Sequence, residues 1–252
     1  MTVFAYTNLL EATASTVTAT TETSTFEVEN CFDWRTNTFW QGTGGGTEYV
    51  TVDLGSALAV DYWAIAGHDG GTQGATYKLQ YSTDNFAGDT NDFNGTVTPS
   101  DDAVIIKTGT TQTKRYWRLE VVQGATAVSI GQLSIGARYD APVGMRAGFV
   151  VPVHGYRDKF MNNLSDSGAF IGRSLIRVQR ETVIDVTNLT LAQVRSDIEP
   201  LVNHALSKPF FFLWDETNYA AEAAYCWLRG DPTIASPSET FQSVTLPVGC
   251  LV

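Results

Sequence analysis

Basic residues are scarce: 16 Lys and Arg stand against 27 Asp and Glu, a formal net charge of −11 at pH 7. No stripe of cations is left to neutralise a phosphate backbone, so nucleic acid is not an expected partner. Cysteine is nearly absent. Cys31, Cys226 and Cys250 are too few and too scattered for a disulfide framework, and none has the Cys-x-x-Cys spacing of a metal site. Buried free thiols are the expectation, with a Cys226–Cys250 bridge as the alternative. No apolar run reaches about 18 residues, so no membrane insertion is expected. The opening MTVFAYTNLLEATASTVTAT also lacks the basic start and long apolar stretch of a secretion signal, and the expectation is a soluble chain. Catalytic signatures are missing as well. His68, His154 and His204 lie in separate segments without zinc-ligand spacing, no Gly-x-Ser-x-Gly elbow occurs, and the glycines of TGGGTE lack the Gly-Lys-Ser/Thr ending of a phosphate loop. The chain is expected not to be an enzyme, although paired carboxylates for glycoside hydrolysis converge only in space.

What is present is a β pattern with enough apolar residues, 43% of the chain, to fill sizeable cores. Runs rich in Val, Ile, Thr, Tyr and Trp, separated by Gly, Asn, Asp and Ser, predict strands at Tyr49–Asp53, Tyr62–Gly67, Thr76–Ser82, Ala103–Lys107, Tyr116–Val122 and Val128–Ile135. In the fifth of these, Trp117, Leu119 and Val121 alternate with Tyr116, Arg118 and Glu120, which puts one face in a core. ARYDAPVG, residues 137–144, breaks the rhythm and marks a boundary between domains 1–139 and 140–252. The second half predicts strands at Ala147–Val153, Arg173–Gln179, Glu181–Val186, Phe210–Trp214, Ala223–Arg229 and Phe241–Leu246. The run Phe210–Trp214 reads as a strand buried on both faces. Between Gly155 and Gly172 a polar, Gly- and Asn-containing stretch reads as a long loop, of a kind that orders only on assembly. One main helix is predicted at about 190–206, from Leu191, Val194, Ile198, Leu201, Val202 and Ala205 at spacings of three and four, with Thr190 and Gln193 as a capping box and Pro200 as a kink or early end. The fold class is therefore mainly β, a β-sandwich followed by an α+β domain.

The series FDWRTNTFW, EYVTVDLG, DYWAIAGHD, YKLQYSTD, RYWRLEV and SIGQLSIG, in that order, resembles the discoidin or galactose-binding-like family over about residues 25–138. Asp33, Thr38 and Trp40 occupy the positions of the family's opening loop, with Trp34 where the family has glycine. Val52, Asp53, Leu54 and Gly55 match its strand and turn, and Tyr116, Trp117 and Arg118 its late aromatic-aromatic-Arg strand. The resemblance implies a jelly roll whose end loops bind glycans, phospholipid headgroups or protein surfaces. It further implies a structural calcium held by Asp33 and Thr38, with Gln132 supplying a neutral amide where the family has a carboxylate. The alternative is that Asp33 only caps its own loop.

For ligand binding the candidates are Trp34, Arg35 and Asn37 in the first loop, beside Phe39, and His68 and Asp69 in GHDGG. An aromatic face next to planar polar groups suits a sugar. Trp34 as a plug in the end of the sandwich, and His68 as a satisfied turn residue, are the competing readings. The acidic loop DTNDFNGTVTPSDD fails as an EF-hand: counted from Asp89, position five is Phe93 and position twelve is Ser100.

Residues 144–252, through GFVVPVHGYRDKF, KPFFFLWD and YAAEAAYCWLRGDP, resemble the C-terminal domain of bacteriophage tail proteins that carry an N-terminal discoidin-like module. That resemblance implies a virion component of the distal tail, made in the bacterial cytoplasm, homo-oligomeric, in contact with other phage tail proteins and with a host cell-surface glycan. A stand-alone carbohydrate-binding protein is the alternative, and a glycan-active enzyme a third reading.

Overall fold

In the computed structural model, residues 1–146, 148–236 and 241–252 are described. The chain forms two compact units, Val3–Asp140 and Ala141–Val252 with Met1–Thr2. Short strands β1 (Thr2–Ala5) and β9 (Tyr139–Ala141) fall at the division between the two units and do not join the first unit's sheet. Between them run β2 (Thr16–Ala19), β3 (Trp40–Gln41), β4 (Gly46–His68), β5 (Thr76–Ser82), β6 (Asn91–Asp92), β7 (Ile105–Gln123) and β8 (Ser129–Gly136), with one short helix, α1 (Gly70–Gln73). These pair in the order β3-β8-β4-β7-β5-β6, with β2 on β4.

The mainly β, sandwich-forming reading holds. Where separate strands are predicted at Tyr49–Asp53 and Tyr62–Gly67, however, β4 runs unbroken for 23 residues, and β7 likewise joins two predicted strands. Pairing between β4 and β7 survives because the register shifts at Asp53/Leu58 and again at Val60/Tyr62. Such bulges bend a ribbon without ending it, so one ribbon serves both layers of a sandwich. The Val-Asp-Leu-Gly signature sits at the first bulge. Gly55 has φ +72°, and a Cβ there would come within 2.9 Å of the Ala14 carbonyl. Asp53 accepts from the Gly55 N–H at 2.8 Å and takes a two-pronged ion pair from Arg115 at 2.7 and 2.8 Å. The alternation expected in β7 is present, with Trp117, Leu119 and Val121 buried against Trp40, Trp63, Tyr77 and Leu79 in one core.

In the second unit the order is β12 (Arg180–Leu189), β16 (Gln242–Leu251), β14 (Ala223–Leu228), β13 (Phe210–Leu213), with β15 (Thr233–Ala235) on β16. All four residues of β13 are buried, as the aromatic run predicts. Helix α2 (Leu191–Gln193), a π-helical turn (Val194–Ile198) and α3 (Glu199–Ala205) follow one another without a break, and both halves of the Thr190/Gln193 capping box form. Pro200 does not end this helix. It has no N–H to give and its ring crowds the carbonyl four residues back; the widened turn just before it, where the Glu199 N–H reaches Val194, absorbs the misfit.

Two expectations fail. Ala147–Val153 contains no strand among its described residues, and Ala147 itself lies outside them; its end, Pro152–His154, is a 3-10 turn. The stretch read as a loop, Gly155–Gly172, instead contributes β10 (Lys159–Leu164), which pairs with β11 (Phe170–Arg177) as a separate two-stranded ribbon. The cysteines are free and buried. Cys226 and Cys250 face each other across β14 and β16 with sulfurs 3.2 Å apart, an unbridged thiol contact.

Candidate functional site

The loop after the 3-10 turn Val28–Phe32 is tied by its own side chains. Asp33 accepts from the Arg35 N–H at 2.9 Å and from the Thr38 hydroxyl at 2.7 Å. Thr36 rests on glycine backbone: a Cβ at Gly67 would lie 2.9 Å from Thr36 Cβ, and one at Gly131 would lie 3.1 Å from Thr36 Cα. The structure thus brings the Asp33–Thr38 loop beside the end of β4, where His68 and Asp69 follow Gly67. Phe39 stacks on Phe26 with ring centres 4.5 Å apart and planes at 13°, and both rings are half-buried.

Of the five predicted ligand residues, two are in the interior. Trp34 is 7% exposed, its N–H donates to Gln132 Oε1 at 2.7 Å and its indole N–H donates to Glu11, so it plugs the sandwich end and is no sugar platform. His68 is buried too. Its Nδ1 accepts from the Gly70 N–H at 3.1 Å, which leaves Nε2 to donate to the Ala103 carbonyl at 2.7 Å. Asp69 accepts from the Ser129 N–H at 2.7 Å. Of the five, Arg35 and Asn37 are exposed, and with Thr36 between them they form a run of exposed polar residues.

Burial holds the His68 imidazole below its ordinary value of 6.5, the nearby Asp102 and Asp69 opposing that shift only in part. Protonation would also turn Nδ1 into a donor facing the Gly70 N–H. The unfolded chain therefore takes up the proton first: His68 contributes no penalty above about pH 6.5, and stability is lost as pH falls from there into the lowered range. Urea unfolding of the wild type across that window is expected to show a stability rising with pH, and His68→Gln to flatten it; an unchanged slope would refute the assignment.

The donor set does not fit calcium. Gln132 is fully buried, with its oxygen engaged by the Trp34 N–H and its NH2 donating to the Leu133 carbonyl at 2.9 Å. That leaves Asp33 as the one carboxylate of the implied set, where a hard divalent cation takes six to eight oxygens. Among the described residues no group of three His, Cys, Asp or Glu side chains is placed to hold a metal. Asp33 and Thr38 close the loop.

Sequence reasoning missed one polar–aromatic arrangement. The Arg118 guanidinium lies 4.2 Å from the Tyr49 ring centre and 4.1 Å from that of Phe86, while its Nε donates to Gln80 at 2.8 Å. Asn85 and Phe86 both have positive φ, 59° and 64°, which folds the turn back over the strand. The only hint was an aromatic inside a turn-rich run, Asp84–Asp89.

Residues 11–134 match the model of the F5/8 type C domain. The N-terminal unit is thus a discoidin-like β-sandwich, as its motifs imply. Similar solved structures include a chitosan-binding module of a Paenibacillus sp. IK-5 chitosanase/glucanase, at 22% identity over 52% of this chain and 99% of that chain, TM-score 0.44. A family 32 carbohydrate-binding module of C. perfringens NanJ, in complex with galactose, is similar at 18% identity over 55% and 100%, TM-score 0.43. A Ruminococcus gnavus GH29 fucosidase is similar at 16% identity over 53% of this chain, TM-score 0.45, and the match spans only 27% of that enzyme. No curated protein sequence matches the chain.

Proposed function

We propose that the N-terminal unit is a carbohydrate-binding module that takes a neutral glycan on the loop end built by residues 33–39, without catalysis. One observation carries this reading: Arg35, Thr36 and Asn37 are exposed, and their side chains have no hydrogen-bond partner among the described residues, although the loop beneath them is closed by Asp33. A tied loop with spare donors and acceptors loses little freedom when it meets sugar hydroxyls. The half-buried Phe26–Phe39 pair adds apolar surface to the same loop. The F5/8 type C match supports the class, since discoidin-type modules place their ligands on end loops. A net charge of −11 disfavours polyanionic glycans.

The test is a glycan array on the full chain followed by calorimetry on the best neutral hit. Arg35→Ala combined with Asn37→Ala is expected to weaken binding about tenfold or more, since a hydrogen bond from a charged donor contributes roughly 1.5–3 kcal/mol. Thermal stability should stay unchanged. Silence toward every neutral glycan, or full affinity in the double variant, overturns the proposal.

A second reading makes the chain a structural component of a bacteriophage tail, with these loops turned to a neighbouring tail protein. Its support is that two of the segments carrying the C-terminal resemblance, KPFFFLWD and YAAEAAYCWLRGDP, form adjacent strands, Phe210 opposite Cys226. It predicts recovery of the chain from purified virions by mass spectrometry, and its absence there removes it.

A further inference from the structure

Side chains on an antiparallel ribbon alternate between two faces, so a ribbon that lies on its own domain pairs one apolar face with one polar face. The ribbon of β10 and β11 does otherwise. Phe160 sits opposite Leu175, and Leu164 opposite Phe170, on one face, with Met161 on the other. All five are between 46% and 64% exposed, and Ile171 and Ile176 are exposed as well. Every residue from 159 to 178 is exposed except Ser165 and Gly172, which are half-buried. Among the described residues no third strand joins the pair. Two strands without a third or a covering layer are marginally stable in water and leave open edges. The cross-strand support is small: Arg173 lies over the Phe160 ring at 4.2 Å and its Nε donates to Asn162 at 2.8 Å.

Charge indicates what covers it. The ribbon carries Lys159, Arg173 and Arg177 against Asp166 alone, in a chain whose net charge is −11. Lys159 and Arg177 stand directly opposite each other, a like-charge pair that costs stability unless a carboxylate approaches from outside. Among the described residues neither has an ion-pair partner, and the neighbouring Asp158 is taken by Arg180 at 2.9 Å. Two ribbons laid face to face would multiply the repulsion. The acidic surface of another copy would relieve it.

We propose that the β10–β11 ribbon is an intersubunit arm that docks on the acidic surface of a second copy of this chain, head to tail. Its nineteen residues, Lys159 to Arg177, approach the size of one side of a standard protein interface, about 20–30 residues. A head-to-tail contact uses different patches on its two partners, so each copy both gives and receives an arm and assembly proceeds past the dimer. This inference is independent of what the N-terminal loops bind.

The test is the mass of the full chain by light scattering, from dilute to concentrated and in low and high salt. The wild type is expected to form species larger than a dimer that dissociate in high salt, where surface charge is screened. Phe160→Asp with Leu175→Asp, and separately Arg173→Glu with Arg177→Glu, are each expected to give the single-chain mass of 27.4 kDa with unchanged circular dichroism. The second pair alters exposed charges only and decides the matter even where the first disturbs folding. A wild type that is monomeric at every concentration overturns the proposal and assigns the ribbon to a different protein. So does an assembly that persists in the charge-reversed variant, and a closed dimer overturns the head-to-tail geometry.

Discussion

Trp117→Ala is expected to lower the stability of the N-terminal unit by about 3–5 kcal/mol, the range for truncating a fully buried aromatic side chain. Trp117 lies in the core of the sandwich with no exposed surface. Tyr81 packs against it at 5.4 Å between ring centres and Phe93 edge-on at 5.7 Å, and its indole N–H donates to the Lys114 carbonyl at 3.1 Å. Truncation therefore removes apolar burial, two ring contacts and a hydrogen bond from one place, and the β4–β7 pairing around the site limits collapse into the space. A loss of that size shifts the melting temperature of a domain this long by roughly 10 °C or more. Tyr116, the next residue on the outward face, is half-buried, and Tyr116→Ala is expected to cost under about 1 kcal/mol. Calorimetry of the full chain measures both. Equal losses in the two variants would mean that the alternation in β7 does not separate core from surface.

That alternation was legible in the sequence because a core imposes it. Period two appears where one face is buried, which is why β5 and β7 could be read, and a spacing of three and four betrayed the helix from Leu191 for the same reason. The ribbon at 159–177 gave only half a signal: a strand was legible from Arg173, but no described residue of its own domain buries either face of its first strand, so KFMNNLSDSGAFIG shows apolar residues without a side and reads as a loop. The bend of β4 was also hidden. Asp53 and Gly55 announced a turn, and only the register of β7 opposite them decides whether pairing stops or slips. At the candidate site, the sequence singled out the Asp33–Thr38 loop as a group but did not sort its residues into buried and exposed. Whether Trp34 or Arg35 faces water depends on one backbone dihedral and on Gln132, 98 residues away.

That dihedral gives a second large effect, and one that reverses the usual order of substitutions. Trp34 has φ +66°, in the left-handed region that costs a residue with a Cβ roughly 1–2 kcal/mol. Glycine, which discoidin-like sequences carry at this position, adopts it without strain. The chain holds a bulky residue in a glycine conformation, and burial of the indole together with its N–H bond to Glu11 offsets the strain. Trp34→Ala loses the burial and keeps the strain, so a loss of about 3–5 kcal/mol is expected. Trp34→Gly loses the same burial but regains the strain, and although glycine also loosens the unfolded chain by up to about 1 kcal/mol, a positive-φ site still favours it over alanine. Chemical unfolding of the two variants side by side is thus expected to rank glycine above alanine, whereas at an ordinary φ the ranking is the opposite. An alanine variant more stable than the glycine one would show that the loop relaxes out of the left-handed region once the indole is gone. The loop would then owe its shape to Trp34 more than to Asp33, and Arg35 and Asn37 would be displayed to a ligand only as long as the plug beneath them stays in place.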